Sequence, residues 1–155
     1  MDPPHFLGQT DLTTNEHIEV DWATFGELCR ALALKVARDY DPEIIVGIAR
    51  AGVIPAAVVA SILRVDFYTL AISRRDGDEI VRERPEIMSA APRQSVGRRV
   101  LIVDEITTSG DTLRLALAAV RDVHPEEVRT ATSFARTTGY QPDYSALTMD
   151  ANVIF

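Results

Sequence analysis

The sequence is poor in cysteine and in lysine. Among its 155 residues Cys29 is the single cysteine, which excludes a disulfide framework and a zinc site built from cysteines. Lys35 is the single lysine, so arginine supplies nearly all of the positive charge. No apolar run is long enough to cross a bilayer, and the first residues lack the basic-then-apolar order of a secretion signal. We therefore expect a soluble cytoplasmic protein that does not associate with membranes.

The charge of the chain is also one-sided. Its 16 basic and 23 acidic residues give a net charge of −7 at pH 7. Such an acidic balance argues against nucleic-acid binding, which depends on the neutralisation of many phosphates. The exception is the segment 74–99, whose seven arginines and five acidic residues give it a net charge of +2. Small anionic ligands therefore remain compatible with the composition, whereas a nucleic-acid partner is not expected.

Hydrophobic patterning alternates between amphipathic stretches and short apolar runs. Asp21 can cap a helix over 21–40, in which five residues recur at helical spacing and predict a core stripe: Trp22, Phe25, Leu28, Leu32 and Val36. Apolar runs predict buried strands over 43–48 and 99–104. Further strands are predicted over 66–73 and 127–134, with strand-like pieces over 144–155. Further helices are predicted from about 53 to 63 and over 112–122. This alternation predicts one α/β domain over 1–155, with a Rossmann-like, mostly parallel sheet flanked by helices.

Two segments of this domain lack a clear pattern. Residues 1–20 are predicted to be an irregular lead-in, and residues 74–98 a long polar loop. A loop of that length inside a compact domain is usually functional or mobile. In parallel sheets ligands bind beyond the carboxyl ends of the strands, which here indicates the turns after Ile48 and after Val103.

Residues 100–113 contain the most informative pattern in the chain. Four apolar residues bring two consecutive carboxylates, Asp104 and Glu105, to the edge of the sheet, and a hydroxyl-rich loop with one glycine then opens a helix. The amides of such a loop are unsatisfied, and the helix dipole favours an anion beside them. Hydroxyls add further donors, those of Thr107, Thr108, Ser109 and Thr112. The segment predicts a cradle for a phosphate monoester, beside two acids suited to ribose hydroxyls or a hydrated Mg²⁺.

This ordered string resembles the phosphoribosyl-pyrophosphate (PRPP) signature of the type I phosphoribosyltransferases. The resemblance extends over about residues 41–155, and residues 47–56, Gly-Ile-Ala-Arg-Ala-Gly-Val-Ile-Pro-Ala, resemble the pyrophosphate-binding loop of that family. Residues 74–98 lie where the family has its flexible catalytic loop. The resemblance implies the fold of that family, in which a small hood of N- or C-terminal residues accompanies the sheet.

The resemblance also assigns roles to individual residues. It implies that Asp104 and Glu105 are catalytic, since they would hold the ribose hydroxyls, and that Glu105 helps to place Mg²⁺. The pyrophosphate would lie against residues 50–52 and the 5′-phosphate against residues 107–112. The full set of PRPP-binding residues implied is Arg50, Ala51, Gly52, Asp104, Glu105, Ile106, Thr107, Thr108, Ser109, Gly110, Asp111 and Thr112.

The residues expected at the base site match the 6-oxopurine branch of the family in position but not in type. Arg136 stands where that branch has a lysine that contacts the purine 6-oxo group, and Thr108 stands where it has an aspartate that meets N7. Asn152, followed by Val153, stands where an aromatic residue stacks on the purine, and Tyr144 or Phe155 are possible replacements for that aromatic ring. The base is therefore less well specified than the phosphoribosyl group.

The resemblance implies a Mg²⁺-dependent enzyme that transfers the 5-phosphoribosyl group from PRPP to a nucleobase, preferably a purine, in nucleotide salvage. Two alternatives stay open on the residues alone. One is a regulatory domain that senses PRPP or nucleotides, and the other is a transferase for a pyrimidine or another acceptor. Family members commonly form homodimers or larger homo-oligomers, which are expected here too.

Overall fold

A computed structural model describes residues 17–76, 79–80 and 83–154 of the chain. Within these residues the elements follow in this order: β1 (His17–Glu19), α1 (Trp22–Ala37), β2 (Ile44–Ala49), α2 (Val53–Leu63), β3 (Asp66–Ser73), β4 (Arg75–Asp76), β5 (Glu79–Ile80), β6 (Glu86–Ile87), a 3-10 turn (Arg93–Ser95), β7 (Arg99–Thr107), α3 (Asp111–Arg121), β8 (Glu127–Ala135), β9 (Tyr144–Thr148) and β10 (Asn152–Ile154). No helix among the described residues has the length and apolarity needed to span a membrane.

The central sheet has six strands in the order β6-β3-β2-β7-β8-β9. All neighbours are parallel except the short edge strand β6, which pairs antiparallel with β3. The predicted mostly parallel α/β sheet is therefore confirmed. Because parallel strands point the same way, the turns after β2, β7 and β8 meet at one edge of the sheet.

Helices cover both faces of this sheet. Alternate residues of β7 explain this arrangement, since Leu101 and Val103 pack with α1 and α2 while Val100 and Ile102 pack with α3. These four side chains are fully buried. Strands buried on both faces need continuous apolar runs, which is the pattern that the sequence shows.

Helix α1 begins one residue after its predicted start and ends three before its predicted end. Asp21 is its cap, since the Asp21 carboxylate accepts a hydrogen bond of 2.7 Å from the Thr24 N–H. Phe25, Leu32 and Val36 are buried as predicted. Trp22 is not part of the core, because 75% of its surface is exposed. The helical spacing places Trp22 in line with the buried residues of α1. The first turn of the helix nevertheless extends beyond the sheet, so Trp22 has no core to pack against.

Two of the segments expected to be irregular contain strands. Residues 17–19 of the predicted lead-in form β1, which pairs parallel with β10 and makes a small two-stranded sheet of the two ends of the described chain. The polar segment 74–98 contains β4 paired with β5, and β6 paired with β3. Residues 1–16, 77–78, 81–82 and 155 lie outside the described residues. The role of 74–98 as a catalytic loop stays a prediction.

Candidate active site

The loop that follows β7 encloses a cavity of about 350 Å³. Its lining is formed by Arg74, Asp104 and the continuous run Ile106, Thr107, Thr108, Ser109, Gly110, Asp111, Thr112 and Leu113. The structure thus brings together, around one cavity, Asp104 and all the residues from 106 to 112 that the sequence predicted. Arg74 also lines the cavity, although the sequence predicted it only as part of a polar loop.

Gly110 gives this loop its shape. Its φ of +84° lies in the left-handed region that favours glycine, and α3 begins directly after it. A Cβ at this position would also collide with the side chain of Tyr140, which follows β8 and packs on the loop. Gly110, the cap residue of α3, has no side chain, and the first N–H of the helix, that of Asp111, donates to the Ser109 hydroxyl over a long 3.4 Å. The first-turn N–H groups lie on the cavity side, at the positive end of the helix dipole.

Thr107 adds a further hydrogen-bonding group without a partner. Its side chain is 4% exposed, and its hydroxyl has no hydrogen-bond partner among the described residues. A buried hydroxyl without a partner costs free energy, about 1–3 kcal/mol. Because Thr107 also lines the cavity, a phosphate oxygen bound there would satisfy it.

The two acids of the site occupy different environments. Residues 107–112 are called the phosphate loop here, after the phosphate that the sequence predicts there. Asp104 is 7% exposed and lines the cavity of this loop, whereas Glu105 is half-buried and lines a second cavity. Burial raises the pKa of Asp104 well above its usual range, and a hydrogen bond and repulsion from Glu105 add to the shift. The backbone N–H of Glu105 donates to the Asp104 carboxylate over 2.9 Å, and this hydrogen bond partly opposes the rise in the pKa of Asp104. A buried acid of this kind needs a donor or a cation as its partner.

The turn after β2 packs directly against Asp104. A Cβ built on Gly52 would lie 2.6 Å from the Ile48 carbonyl oxygen and 2.8 Å from Asp104 Oδ1. The φ of Gly52 is −66°, so close approach rather than backbone freedom requires glycine here. This contact joins the turn at 50–52, in which Arg50 is exposed and the Ala49–Arg50 peptide bond is cis, to the acidic pair.

The second cavity has a volume of about 330 Å³ and a mostly apolar lining. It is formed by Val20, Asp21, Trp22, Phe25, Ala51, Ile54 and Glu105. The sequence associated Trp22 and Phe25 with the core, so it missed their contribution to this cavity. The exposure of Trp22 at the start of α1 indicates this cavity, and that exposure is visible only in the structure.

The residues predicted for the base site lie next to the phosphate loop. The Arg136 N–H donates to the Thr107 carbonyl over 3.4 Å, which places the end of β8 beside that loop. Arg136 Nη2 donates to Asn152 Oδ1 over 2.6 Å, and Asn152 and the half-buried Val153 belong to β10 of the small two-stranded sheet. Tyr144 lies elsewhere, since its hydroxyl donates to Asp39 and accepts from Arg129.

A comparison with family models now identifies the chain. The model described as "Phosphoribosyl transferase domain" matches residues 20–154, which is most of the sequence. The chain belongs to the phosphoribosyl transferase domain family. The phosphate loop, the acidic pair and the turn after β2 described above all fall within the matched residues.

Solved structures share the fold of this phosphoribosyltransferase domain. A purine phosphoribosyltransferase from Pyrococcus horikoshii Ot3 is 26% identical, with a TM-score of 0.78 over 90% of this chain and 92% of that one. A hypothetical protein from Neisseria gonorrhoeae with bound ppGpp is 22% identical, with a TM-score of 0.79 over 91% and 88%. A xanthine-guanine-hypoxanthine phosphoribosyltransferase from Helicobacter pylori is 22% identical, with a TM-score of 0.71 over 86% of both chains.

The donors in this phosphoribosyltransferase domain suit a magnesium ion. No cluster of three or more histidine, cysteine, aspartate or glutamate side chains that could hold a metal occurs in the part of the chain that the structure describes. Mg²⁺ usually keeps several waters and binds through one or two carboxylates together with phosphate oxygens of a substrate. The carboxylate of Asp104, which lines the cavity fit for a phosphate, and that of the next residue, Glu105, match that donor set.

Proposed function

We propose that this chain is a Mg²⁺-dependent phosphoribosyltransferase that transfers the 5-phosphoribosyl group of PRPP to a nucleobase and releases pyrophosphate, and that the base is a purine. The observation that carries the proposal is the cavity formed by residues 106–113 with Asp104 at its edge. Membership of the family and the likeness to the Pyrococcus horikoshii enzyme support it. A cytoplasmic location and a homodimer or larger homo-oligomer belong to the same proposal.

The loop at 107–112 binds the 5′-phosphate in this proposal. The N–H groups at the start of α3 donate to the phosphate oxygens, and the Thr107 hydroxyl donates as well. Asp111 contributes its backbone N–H, which exchanges its long 3.4 Å hydrogen bond to the Ser109 hydroxyl for one to the phosphate, and not its carboxylate, which repels the phosphate. The ribose is thereby fixed with its hydroxyls toward Asp104 and Glu105.

The acidic pair acts on the ribose and on the departing charge. Asp104 and Glu105 accept hydrogen bonds from the ribose hydroxyls, and Glu105 is the residue proposed to help hold the metal. Mg²⁺, when bound, offsets negative charge that develops on the pyrophosphate. Arg50 and the N–H groups of Ala51 and Gly52 bind that leaving group, and the short distance from Gly52 to Asp104 keeps it next to the ribose.

The base lies between the phosphate loop and the small two-stranded sheet. Arg136 donates to a carbonyl oxygen of the base, and the Asn152 carboxamide orients its guanidinium. A guanidinium has five N–H donors, so Arg136 can donate to Asn152 and to the base together. Thr108 and Val153 complete the proposed base-binding set, and a 6-oxo group is the feature of a purine that Arg136 recognises.

The decisive experiment measures pyrophosphate release with PRPP, Mg²⁺ and a panel of bases. Hypoxanthine, guanine or xanthine is expected to support release, whereas adenine and the pyrimidines are not. Turnover with a pyrimidine alone would contradict the purine assignment. Binding of PRPP or nucleotides without release for any base would favour a sensing domain over an enzyme. Omission of Mg²⁺ is expected to stop the reaction.

Arg136→Ala is expected to raise the KM for the base about tenfold, with little change in the KM for PRPP, because it removes one charge-assisted hydrogen bond to the base. Steady-state kinetics with each substrate varied in turn measures both constants. Arg121→Ala, which changes an exposed arginine at the end of α3, is the matched control and should leave both constants unaltered. An equal loss for base and PRPP would place Arg136 outside the base site.

A further inference from the structure

An ion pair joins the cavity of the phosphate loop to a residue from outside that loop. Arg74 follows β3 directly, lines the cavity, and has its Nη2 3.2 Å from Asp111 Oδ2. The two side chains are 42% and 45% exposed. Exposed ion pairs add little to stability, so fold stability does not account for an arginine at this place.

Asp111 is an unexpected residue for a phosphate site, because its carboxylate repels an anion. Its two oxygens are divided between two arginines, since Oδ2 faces Arg74 and Oδ1 lies 3.7 Å from Arg114 Nη1. Two positive charges and one negative charge leave this group of three with a net positive charge. The group therefore attracts an anion despite the acid within it.

The two arginines are held differently. Arg114 Nη1 donates to the Ser109 carbonyl over 2.8 Å, and its guanidinium lies 4.8 Å from the centre of the Tyr140 ring. Arg114 is thus anchored to the loop and to the segment that packs on it. Arg74 reaches the cavity from a different part of the chain. A guanidinium has five N–H donors in a fixed fork, so Arg74 can donate to Asp111 and to a phosphate oxygen together.

We infer that Arg74 binds the 5′-phosphate of PRPP and of the product nucleotide, and that Asp111 is the positioning residue that holds its guanidinium at the cavity. The inference rests on the proposed function and deepens it, because it adds a side-chain cation to a site otherwise built from N–H groups and hydroxyls. Arg114 offsets the charge of Asp111, so that Arg74 remains available to the phosphate.

Calorimetric titration with a purine nucleoside 5′-monophosphate and, separately, with pyrophosphate tests the inference. Arg74→Ala is expected to weaken nucleotide binding about tenfold, the loss of one charge-assisted contact, and to leave pyrophosphate binding unchanged. Arg74→Lys should recover part of the loss, because an ammonium keeps the charge without the fork. Arg121→Ala is again the matched control. Loss of pyrophosphate affinity alone would assign Arg74 to the leaving group and overturn the inference.

The double variant Arg74→Ala/Asp111→Asn separates direct contact from charge balance. It removes one positive and one negative charge, so the net charge at the cavity is that of the wild type. If Arg74 touches the phosphate, the double variant should still bind nucleotide several-fold more weakly than the wild type. If Arg74 only neutralises Asp111, the double variant will bind like the wild type, and the inference fails.

The wild-type protein separates this inference from the proposed function. Nucleotide binding by the wild type with no change in Arg74→Ala would overturn the inference alone. A wild type that binds neither PRPP nor nucleotide and releases no pyrophosphate would overturn the proposed function, and the role of Arg74 with it. Circular dichroism of each variant verifies that it is folded, which the exposure of both side chains leads us to expect.

Discussion

The double variant Asp104→Asn/Glu105→Gln is expected to lose at least about 10³-fold in the rate of pyrophosphate release, because it removes the charges that hold the ribose and offset the metal at the reacting centre. The folded state should persist, since an asparagine oxygen at 104 can still accept from the N–H of residue 105, as Asp104 does over 2.9 Å. An amide also removes a charge that burial disfavours, so the unfolding temperature should not fall.

Pyrophosphate release and thermal unfolding, measured on the same preparation, test both parts of this expectation. The matched control is Asp122→Asn/Glu126→Gln, the same chemical change at two exposed acids. These acids lie just before β8, at the amino ends of the strands and away from the site. The control should keep wild-type activity. Retained turnover in the Asp104/Glu105 variant would show that the acidic pair is not the catalytic pair.

Gly52→Ala is expected to lower kcat/KM for PRPP about 100-fold and to destabilise the fold by about 1–3 kcal/mol, because the added methyl has no room. Its Cβ would lie 2.6 Å from the Ile48 carbonyl oxygen and 3.0 Å from Asp104 Cα. Both are backbone atoms of neighbouring strands, β2 and β7, so neither can turn aside. Either the turn at 50–52 or β7 at Asp104 must shift, and each belongs to the proposed site.

Gly26→Ala is the matched control for this substitution. Gly26 lies on the exposed side of α1, with open space around its Cβ position in the described structure. Alanine there should stabilise the protein by about 0.5–1 kcal/mol, because it reduces the freedom of the unfolded chain. Steady-state kinetics and chemical denaturation distinguish the two alanines. Wild-type kcat/KM in Gly52→Ala would mean that the turn does not need its contact with Asp104.

Most of the elements were predictable because their signals are local. The strand at 66–73 and the helix ending at Leu63 occur as predicted, and the strand that delivers Asp104 begins at Arg99 as predicted but continues to Thr107. The unbroken apolar runs of β2 and β7 are typical of strands buried on both faces, and they are visible in the sequence alone. The same holds for the phosphate loop, whose residues are consecutive in the chain.

Contacts between distant segments were not predictable in this way. Residues 17–19 show no strand pattern of their own, and they form β1 because β10, more than 130 residues later, offers a parallel partner. Arg136 and Asn152 each matched a position at the expected base site, yet their pairing over 2.6 Å is visible only in the folded chain. Trp22 follows the helical stripe and is nevertheless exposed.

The sequence by itself determined the α/β class, the long strands that alternate with the helices and the phosphate loop with its two acids, because each depends on residue types at short, fixed spacings. Only the tertiary structure decided that Asp104 is buried beside one cavity while Glu105 lines another, and that Arg74 reaches the phosphate loop. Burial and long-range ion pairs depend on which segments the sheet brings together at its carboxyl edge. That arrangement is a property of the packed strands and not of any single stretch of the chain.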